Sequence, residues 1–517
     1  MDKENKPDIS CEADSNNSAG IFDTKLGLIK PWRTPFSTVG VISAIVFCII
    51  FAFALERQVF AQGREQVSPA QQYSNLFRSV FEFIQRHHVE EIDPQVLFEG
   101  AMTGMFEALG DPYSSFLPEA EMARLRHTTQ GRFGGVGLYV SKPNRTDGRP
   151  NYLEVAAPIE GTPGWRAGIN PGDQIILIDG ESTDVMTSDE AVSRLRGQPG
   201  TEVNILIRRG EAIEFPVTLV RAVIEVPTVR HAMIGDIGYI RVLTFTPMTA
   251  ERSRDAIRYF QSNNYTGIIL DLRNNFGGLL HAAVAVSNLF LDGGVVVSTR
   301  SRIPSENQTF YARGRAEVAA DIPVIVLMNR GSASASEIVA GALKDRGRAF
   351  LVGENTFGKG SVQQVFPLEN AGFKLTTAHY YTPSNARIDR LGIPPDRLVR
   401  QPDFSDADAE QLNALLNSGR IADFVRTNPD AASADRNRFA QSLNSEFGLD
   451  TSLLRRLIRN EQNRRTMAPI FDLEYDVQLQ EAVRILQEED FRALMRGTRS
   501  LRVLQDEAMQ EDMALAS

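Results

Sequence analysis

The sequence predicts a multi-domain α/β protein, and three observations carry that prediction. Between residues 226 and 400, apolar strand-type runs at 239–242, 268–272, 295–299 and 324–328 alternate with helix-patterned segments at 279–291 and 337–346. Residues 129–222 are rich in glycine turns and short alternating strands. Helical spacing frames both regions, with Tyr73, Leu76, Phe77, Val80, Phe81 and Ile84 before them and Leu479, Val483 and Leu486 after. A chain of 517 residues has room for three or four domains.

The alternating core holds the chemistry, where open α/β sheets place their sites at strand ends. Asn329-Arg330-Gly331-Ser332-Ala333-Ser334-Ala335-Ser336-Glu337 follows the apolar run 323–328 and leads into a helical pattern that closes at Gly347. Ser334 falls at the N-cap, with Glu337 three residues on as a capping box. A hydroxyl there faces free backbone N–H groups and the positive end of the helix dipole. Acyl transfer needs such donors, because the attacked carbonyl becomes an oxyanion. Ser-x-x-Glu also starts many ordinary helices, and cap geometry leaves Ser332 and Ser336 open beside Ser334.

Lys359 lies 25 positions beyond Ser334, in Thr356-Phe357-Gly358-Lys359-Gly360-Ser361. A free amine, with a pKa of about 10.4, is charged at neutral pH. Burial lowers that value by up to roughly 3–5 pH units, so a lysine between apolar runs and flexible glycines can serve a serine as base. Gln363, four residues on in a strand, shares its face and could orient the amine. Residues 353–359 also spell Gly-x4-Gly-Lys, most of a phosphate-binding loop. Gly360 stands where that loop requires Ser or Thr, and the segment after it reads as a strand, so phosphate binding is rejected. His281 and His379 flank the region as alternative bases, and the six histidines lack metal-ligand spacing; neither metal nor cofactor is expected.

The glycine-rich region opens with Gly134-Gly135-Val136-Gly137-Leu138, followed by Tyr139-Val140. Such glycines free backbone N–H groups for a terminal carboxylate while a peptide pairs along the next strand. The region resembles a PDZ domain and continues through Ala167-Gly168-Ile169-Asn170-Pro171-Gly172-Asp173, with Thr187 and Glu190 capping a helix that ends by Gly197.

Together these motifs resemble the carboxyl-terminal processing peptidases, or tail-specific proteases. The likeness runs through Asp111-Pro112-Tyr113-Ser114-Ser115-Phe116-Leu117, Phe133-Gly134-Gly135-Val136-Gly137, Leu270-Asp271-Leu272-Arg273-Asn274-Asn275, the two turns above and Gly392-Ile393-Pro394-Pro395-Asp396, over about 70–400. The resemblance implies a crotonase/Clp-protease-like core with an inserted PDZ domain, Ser334 as nucleophile, Lys359 as base and Gln363 as third residue. It implies an oxyanion hole from the Ala335 N–H and an N–H of the Gly277-Gly278 turn, substrate selection by C-terminus at Gly134, Gly135, Val136, Gly137 and Leu138, and gating of the site by that module; Arg196, just before the Gly197 turn, is the candidate for carrying the signal. The sequence departs from the family pattern at Phe276, where proline or glycine is usual, and at Asn385-Ala386, where Gly-Arg is usual.

A net charge of −10 argues against nucleic acid as a partner, and the arginines at 455, 456, 459, 464 and 465 read as a solvated helix face. Cys11 and Cys48, the only cysteines, cannot brace the catalytic part with a disulfide. Residues 34–55 carry no charge and are long enough to span a bilayer, with Lys25, Lys30 and Arg33 before them. A cleaved signal ending at Ala52-Phe53-Ala54 is the alternative, but the long polar leader favours an uncleaved anchor.

The expected organisation is a cytoplasmic tail (1–33), a transmembrane anchor (34–55), a helical region (66–128), a PDZ domain (129–222), a peptidase domain (226–400) and a C-terminal helical extension (401–517). The extension would support a homodimer or dock on the core. The expected location is a bacterial inner membrane, crossed once, with the catalytic part periplasmic. The expected function is a serine endopeptidase for proteins with exposed C-termini; the alternative is a noncatalytic, membrane-tethered PDZ scaffold.

Overall fold

The computed structural model describes residues 50, 68–142, 150–210, 213–401, 406–463 and 469–516. Residues 1–97 and 98–517 form two separate compact units. In the first, the amphipathic pattern gives helix Pro69–His87, capped by Ser68 and entered through Pro69.

In the second unit the apolar runs form a six-stranded sheet in the order Val229–Ile234, Ile237–Val242, Gly267–Asp271, Val324–Met328, Phe350–Gly353 and Arg397–Leu398. The first pair is antiparallel and the rest run parallel. Parallel strands need cover on both faces, which is why Gly267–Asp271 and Val324–Met328 are buried throughout and, Asp271 aside, carry no polar side chain. Alternation assigns the faces. Ile268, Leu270, Val324, Val326 and Met328 point into a core shared with helices Thr249–Ser262, Leu280–Ser287 and Ala335–Asp345. Ile269, Ile325 and Leu327 point the other way, onto Leu479, Ala482 and Ile485 of helix Val477–Glu488. The C-terminal segment therefore docks on the six-stranded sheet and completes its second face. Four of its other helices, Asp406–Asn417, Arg420–Thr427, Ser433–Phe447 and Thr451–Gln462, enclose a small core around Leu443 and Leu454.

The run expected at 295–299 forms strand Gly294–Ser301, but in a second sheet with Ser115–Leu117, Gln308–Ala312, Ser361–Leu368 and Ala371–Tyr381. Strand Ser361–Leu368 agrees with the rejection of a phosphate loop, which would require a helix there.

The PDZ-like region is an antiparallel sheet of Leu138–Ser141, Leu153–Pro158, Gln174–Ile178, Glu202–Arg209 and Ile213–Val220, with Glu181–Ser182 pairing Gln174–Ile178. It has its own core around Leu153, Ile175, Ile178 and Val203. The Thr187–Glu190 capping box is present and starts helix Ser188–Leu195. A ribbon of Arg132–Gly135 with Ala222–Glu225 runs antiparallel outside this sheet.

Two expectations are corrected. No helix among the described residues is long and apolar enough to cross a membrane. Residues 34–55 lie outside the described residues, Ile50 aside, so the single-pass inner-membrane anchor and periplasmic placement are not carried forward. Arg459 does not sit on a solvated face: it is largely buried in an ion pair with Asp472, and Glu474 lies 3.2 Å away. Arg464 and Arg465 lie outside the described residues.

Because Leu479 is fully buried against the sheet, Leu479→Ala should destabilise the protein by about 2–5 kcal/mol. Leu416→Ala, at an exposed position, should change stability by less than about 0.5 kcal/mol. Chemical denaturation distinguishes them, and equal midpoints would contradict a structural role for the extension.

Candidate active site

Three strand ends meet at one edge of the parallel sheet. Gly267–Asp271 leads into the Asn274–Gly278 turn, Val324–Met328 into the serine turn, and Phe350–Gly353 into the lysine turn. Ser334 sits at the sharp strand-to-helix corner with φ 56° and ψ −112°, a left-handed conformation that a serine adopts only under constraint. Such a corner lifts a hydroxyl to the mouth of the following helix.

The neighbouring hydroxyls separate the three serines. Ser332 Oγ donates to the Leu272 carbonyl at 2.9 Å, and Ser336 Oγ donates to the Asn275 carbonyl at 2.8 Å. These side chains are 1 % and 0 % exposed, against 8 % for Ser334. Ser332 and Ser336 are thus spent on holding the turn, and Ser334 is left as the least buried of the three, its hydroxyl donating to no carbonyl of the turn.

The lysine turn is fixed by glycine. A Cβ at Gly360 would lie 2.1 Å from the Asp389 nitrogen, so only glycine fits where these backbones meet. Lys359 is half-buried between Gly358 and Gly360. Desolvation pushes its pKa below the ordinary lysine value of 10.5, and repulsion from Lys374 pushes the same way; Glu337 and Asp111 pull it back up. Its Nζ lies 4.8 Å from the centre of the Tyr113 ring.

One carboxylate joins the two turns. The Ser334–Glu337 capping box is present, and its arm from the Ser334 N–H to Glu337 Oε2 measures 2.8 Å. The Lys359 N–H donates to the same oxygen at 2.9 Å. Oε1 accepts the Gly358 N–H at 2.7 Å and the Thr356 hydroxyl at 2.5 Å. Thr356 Oγ1 in turn accepts the Ile393 N–H at 2.7 Å, tying in the Gly-Ile-Pro-Pro-Asp segment. Burial pushes the Glu337 pKa up, against four donors that favour the charged form. From sequence Glu337 read only as a cap residue; its reach to the lysine turn has no local signal.

Gly277 adopts φ +105°, and a Cβ there would fall 2.9 Å from Ser334 Cβ and 3.0 Å from the Ala335 nitrogen. The Gly277-Gly278 turn is therefore pressed against the serine. Asn275 holds both: its Nδ2 donates to the Val242 carbonyl at 2.9 Å, its Oδ1 accepts the Gly277 N–H at 2.9 Å, and its carbonyl accepts the Ala333 N–H at 3.0 Å. Among the described residues no hydrogen bond engages the N–H of Gly278 or Ala335.

Gln363 is not hydrogen-bonded to Lys359. Its amide donates to Ser361 Oγ at 2.8 Å and Thr376 Oγ1 at 3.3 Å. The shared-face argument fails locally because pairing with Ala371–Tyr381 shifts register between Val362 and Gln363, and a bulge breaks the two-residue alternation. Phe276 stands 77 % exposed beside the glycine turn. Asn385 takes φ +68°, which asparagine tolerates better than most residues.

In the PDZ-like sheet, Leu138–Ser141 is an edge strand paired on one side only, with Leu153–Pro158. The carbonyls of Val136 and Gly137 accept the N–H groups of Gly164 and Ile159 at 2.8 and 2.9 Å. Gly134 and Gly135 instead pair with Val223 and Ala222 in the ribbon. Arg196 caps helix Ser188–Leu195 and lays its guanidinium over the Phe133 ring at 4.7 Å, beside a 3.2 Å bond from the Gly197 N–H to the Gly134 carbonyl.

Glu337→Gln keeps the shape, but either orientation of the amide sets an NH2 against two donors. The variant should lose about 1–3 kcal/mol or more, read as a lower denaturant midpoint. An unchanged midpoint would show that this carboxylate does not hold the turns.

Residues 236–399 match the model of peptidase family S41, 154–209 that of a PDZ domain, and 50–120 that of the activating protease CtpB N-terminal domain. The chain is 42% identical over 352 residues to a carboxy-terminal-processing protease of Bartonella bacilliformis, covering 66% of this chain and 79% of that one. It is 40% identical over 316 residues to a carboxyl-terminal-processing protease of Synechocystis sp., covering 60% and 72%. The solved photosystem II D1 C-terminal processing protease is 29% identical, covering 63% of this chain and 92% of that one, with a TM-score of 0.38. The noncatalytic scaffold reading finds no support among them. The chain belongs to the carboxyl-terminal processing proteases of peptidase family S41, serine peptidases, and it carries a PDZ domain.

Proposed function

We propose that the protein cleaves peptide bonds through an acyl-enzyme on Ser334, with Lys359 as its base. The observation that carries this reading is the strained Ser334 corner, linked through one buried carboxylate to the backbone of Lys359. In the proposed cycle the neutral Lys359 amine takes the hydroxyl proton as Ser334 attacks the scissile carbonyl. The ammonium then returns that proton to the leaving amine, and water repeats the sequence to release the acyl group. The free N–H groups of Ala335 and Gly278 would hold the oxyanion; the Gly277 N–H is already engaged by Asn275. Gln363 would act after rearrangement of its present bonds to Ser361 and Thr376.

The open edge of Leu138–Ser141 supports a second step, in which a substrate C-terminus adds as a strand and its carboxylate meets the loop from Gly135 to Leu138. Arg196, stacked on Phe133 where the PDZ-like sheet meets the ribbon, is the proposed relay to the core. The division into a helical region (66–128), PDZ domain (129–222), peptidase domain (226–400) and C-terminal extension (401–517) belongs to the same proposal.

Ser334→Ala and Lys359→Ala should each reduce cleavage of an unfolded protein with an apolar tail to background. Lys359→Arg should do the same, since guanidinium keeps its proton. Near-wild-type activity in any of the three ends the proposal. The base works neutral and its pKa is lowered, so kcat/KM should rise about tenfold per pH unit on the acid side. It should level off below pH 10.5; a limb continuing to rise past that value would contradict a desolvated lysine base. Deleting the PDZ-like sheet should alter substrate choice, measured by competition between proteins that differ only at their C-termini.

A further inference from the structure

We propose that Tyr113 is a positioning residue for Lys359: its ring is the resting seat of the ammonium, and the amine is released toward Ser334 when it loses its proton. This rests on the reading of Lys359 as base. The Lys359 Nζ lies 4.8 Å from the Tyr113 ring centre, and among the described residues no hydrogen bond joins it to Ser334 Oγ or Gln363. The lysine is therefore seated on an aromatic face, not on the group it would deprotonate.

The seat is built rather than incidental. Asp111 Oδ1 accepts the Tyr113 N–H at 3.1 Å, and its Oδ2 accepts the Ser114 hydroxyl. Ser114 Oγ then accepts the Thr376 N–H at 2.9 Å, and strand Ser115–Leu117 pairs with Ala371–Tyr381 in the register Ser115↔Lys374. These bonds fix the backbone that carries the ring to the sheet on which the lysine turn also rests, since the Tyr380 N–H donates to the Gly360 carbonyl at 2.6 Å.

The attraction between an amine and a ring face exists only while the amine is charged, because it is the ring quadrupole acting on a cation. Three charged groups also face Lys359: Lys374 repels the ammonium, while Glu337 and Asp111 favour it. Lys374 and the ring thus oppose each other, one unloading the proton and the other retaining it. Loss of the proton removes the hold of the ring and frees the flexible stem.

The test replaces residue 113 in the full chain and reads the acid limb of kcat/KM together with a ¹³Cε-lysine NMR titration of Lys359, assigned by its absence in Lys359→Arg. Tyr113→Phe keeps the ring face and should keep the limb. Tyr113→Leu, and pentafluorophenylalanine at 113, which preserves the ring's shape and drains its face of charge, should both move limb and titration to lower pH by about half to one unit. The high-pH plateau should stay. A limb and titration that do not move, that move to higher pH, or that move as far with Tyr113→Phe overturn the proposal. If Lys359→Ala retains activity, the base reading fails instead, and the titration alone decides whether the ring seats the ammonium.

Discussion

Four donors on one buried carboxylate hold this site together. Neither turn holds its observed form by local preference: Ser334 occupies a backbone region that costs a non-glycine residue of order 1–3 kcal/mol, and position 360 of the lysine turn must be glycine because the distant Asp389 backbone leaves no room for a Cβ. Glu337 supplies the constraint both need, because each of its oxygens takes one donor from the lysine turn's Gly358 or Lys359 and one more from Thr356 or Ser334. A buried carboxylate is costly when unpaired, and a full set of donors turns that cost into specificity for one geometry. The N-cap of the serine helix and the placement of the lysine are thus one structural decision.

The layer beneath is governed by cover. A parallel sheet with apolar side chains on both faces cannot end with one face in water, and the peptidase core supplies helices to only one of them. Helix Val477–Glu488 closes the other face, and a buried charge network fixes its entrance. Arg273 donates to both oxygens of Asp271 and of Asp476, and to Gln478 at 3.1 Å, while Tyr239 donates to Asp271 at 2.7 Å. Asp271 and Arg273 stand directly before Asn275, so the C-terminal segment braces the strand that carries the glycine turn to Ser334.

What was legible in the sequence follows from the range of each interaction. The strands of the central sheet, the helix after Ser334 and the Thr187 cap depend on near neighbours, and their patterns appear within a dozen residues. The three serines of the turn look equivalent in sequence, since only contacts with Leu272 and Asn275, some sixty positions away, separate them. The present bonds of Gln363 to Ser361 and Thr376 are not legible from alternation, which assumes an unbroken ladder, because the bulge at 362–363 is set by the partner strand. The docking of Leu479, the bond from Glu337 to Lys359 and the stacking of Tyr113 on Lys359 join segments far apart in the chain, and nothing local announces them.

For Lys359 in its proposed role as base, the surroundings are set by opposing influences and not by any single one. Desolvation alone would lower the amine's pKa freely, but proton affinity falls with pKa, and a base too weak to hold a proton cannot draw one from a hydroxyl. Attraction to Asp111 and Glu337 alone would leave it permanently charged. The observed arrangement sets these against each other within one small space: burial and Lys374 favour the neutral amine, while the two carboxylates and the Tyr113 ring favour the ammonium. The groups that push the pKa down and those that hold it up come from different segments, so their balance exists only when those segments are assembled. In the proposed role, Lys359 has the ordinary properties of a surface amine in the unfolded chain and would gain those of a base only in the completed fold.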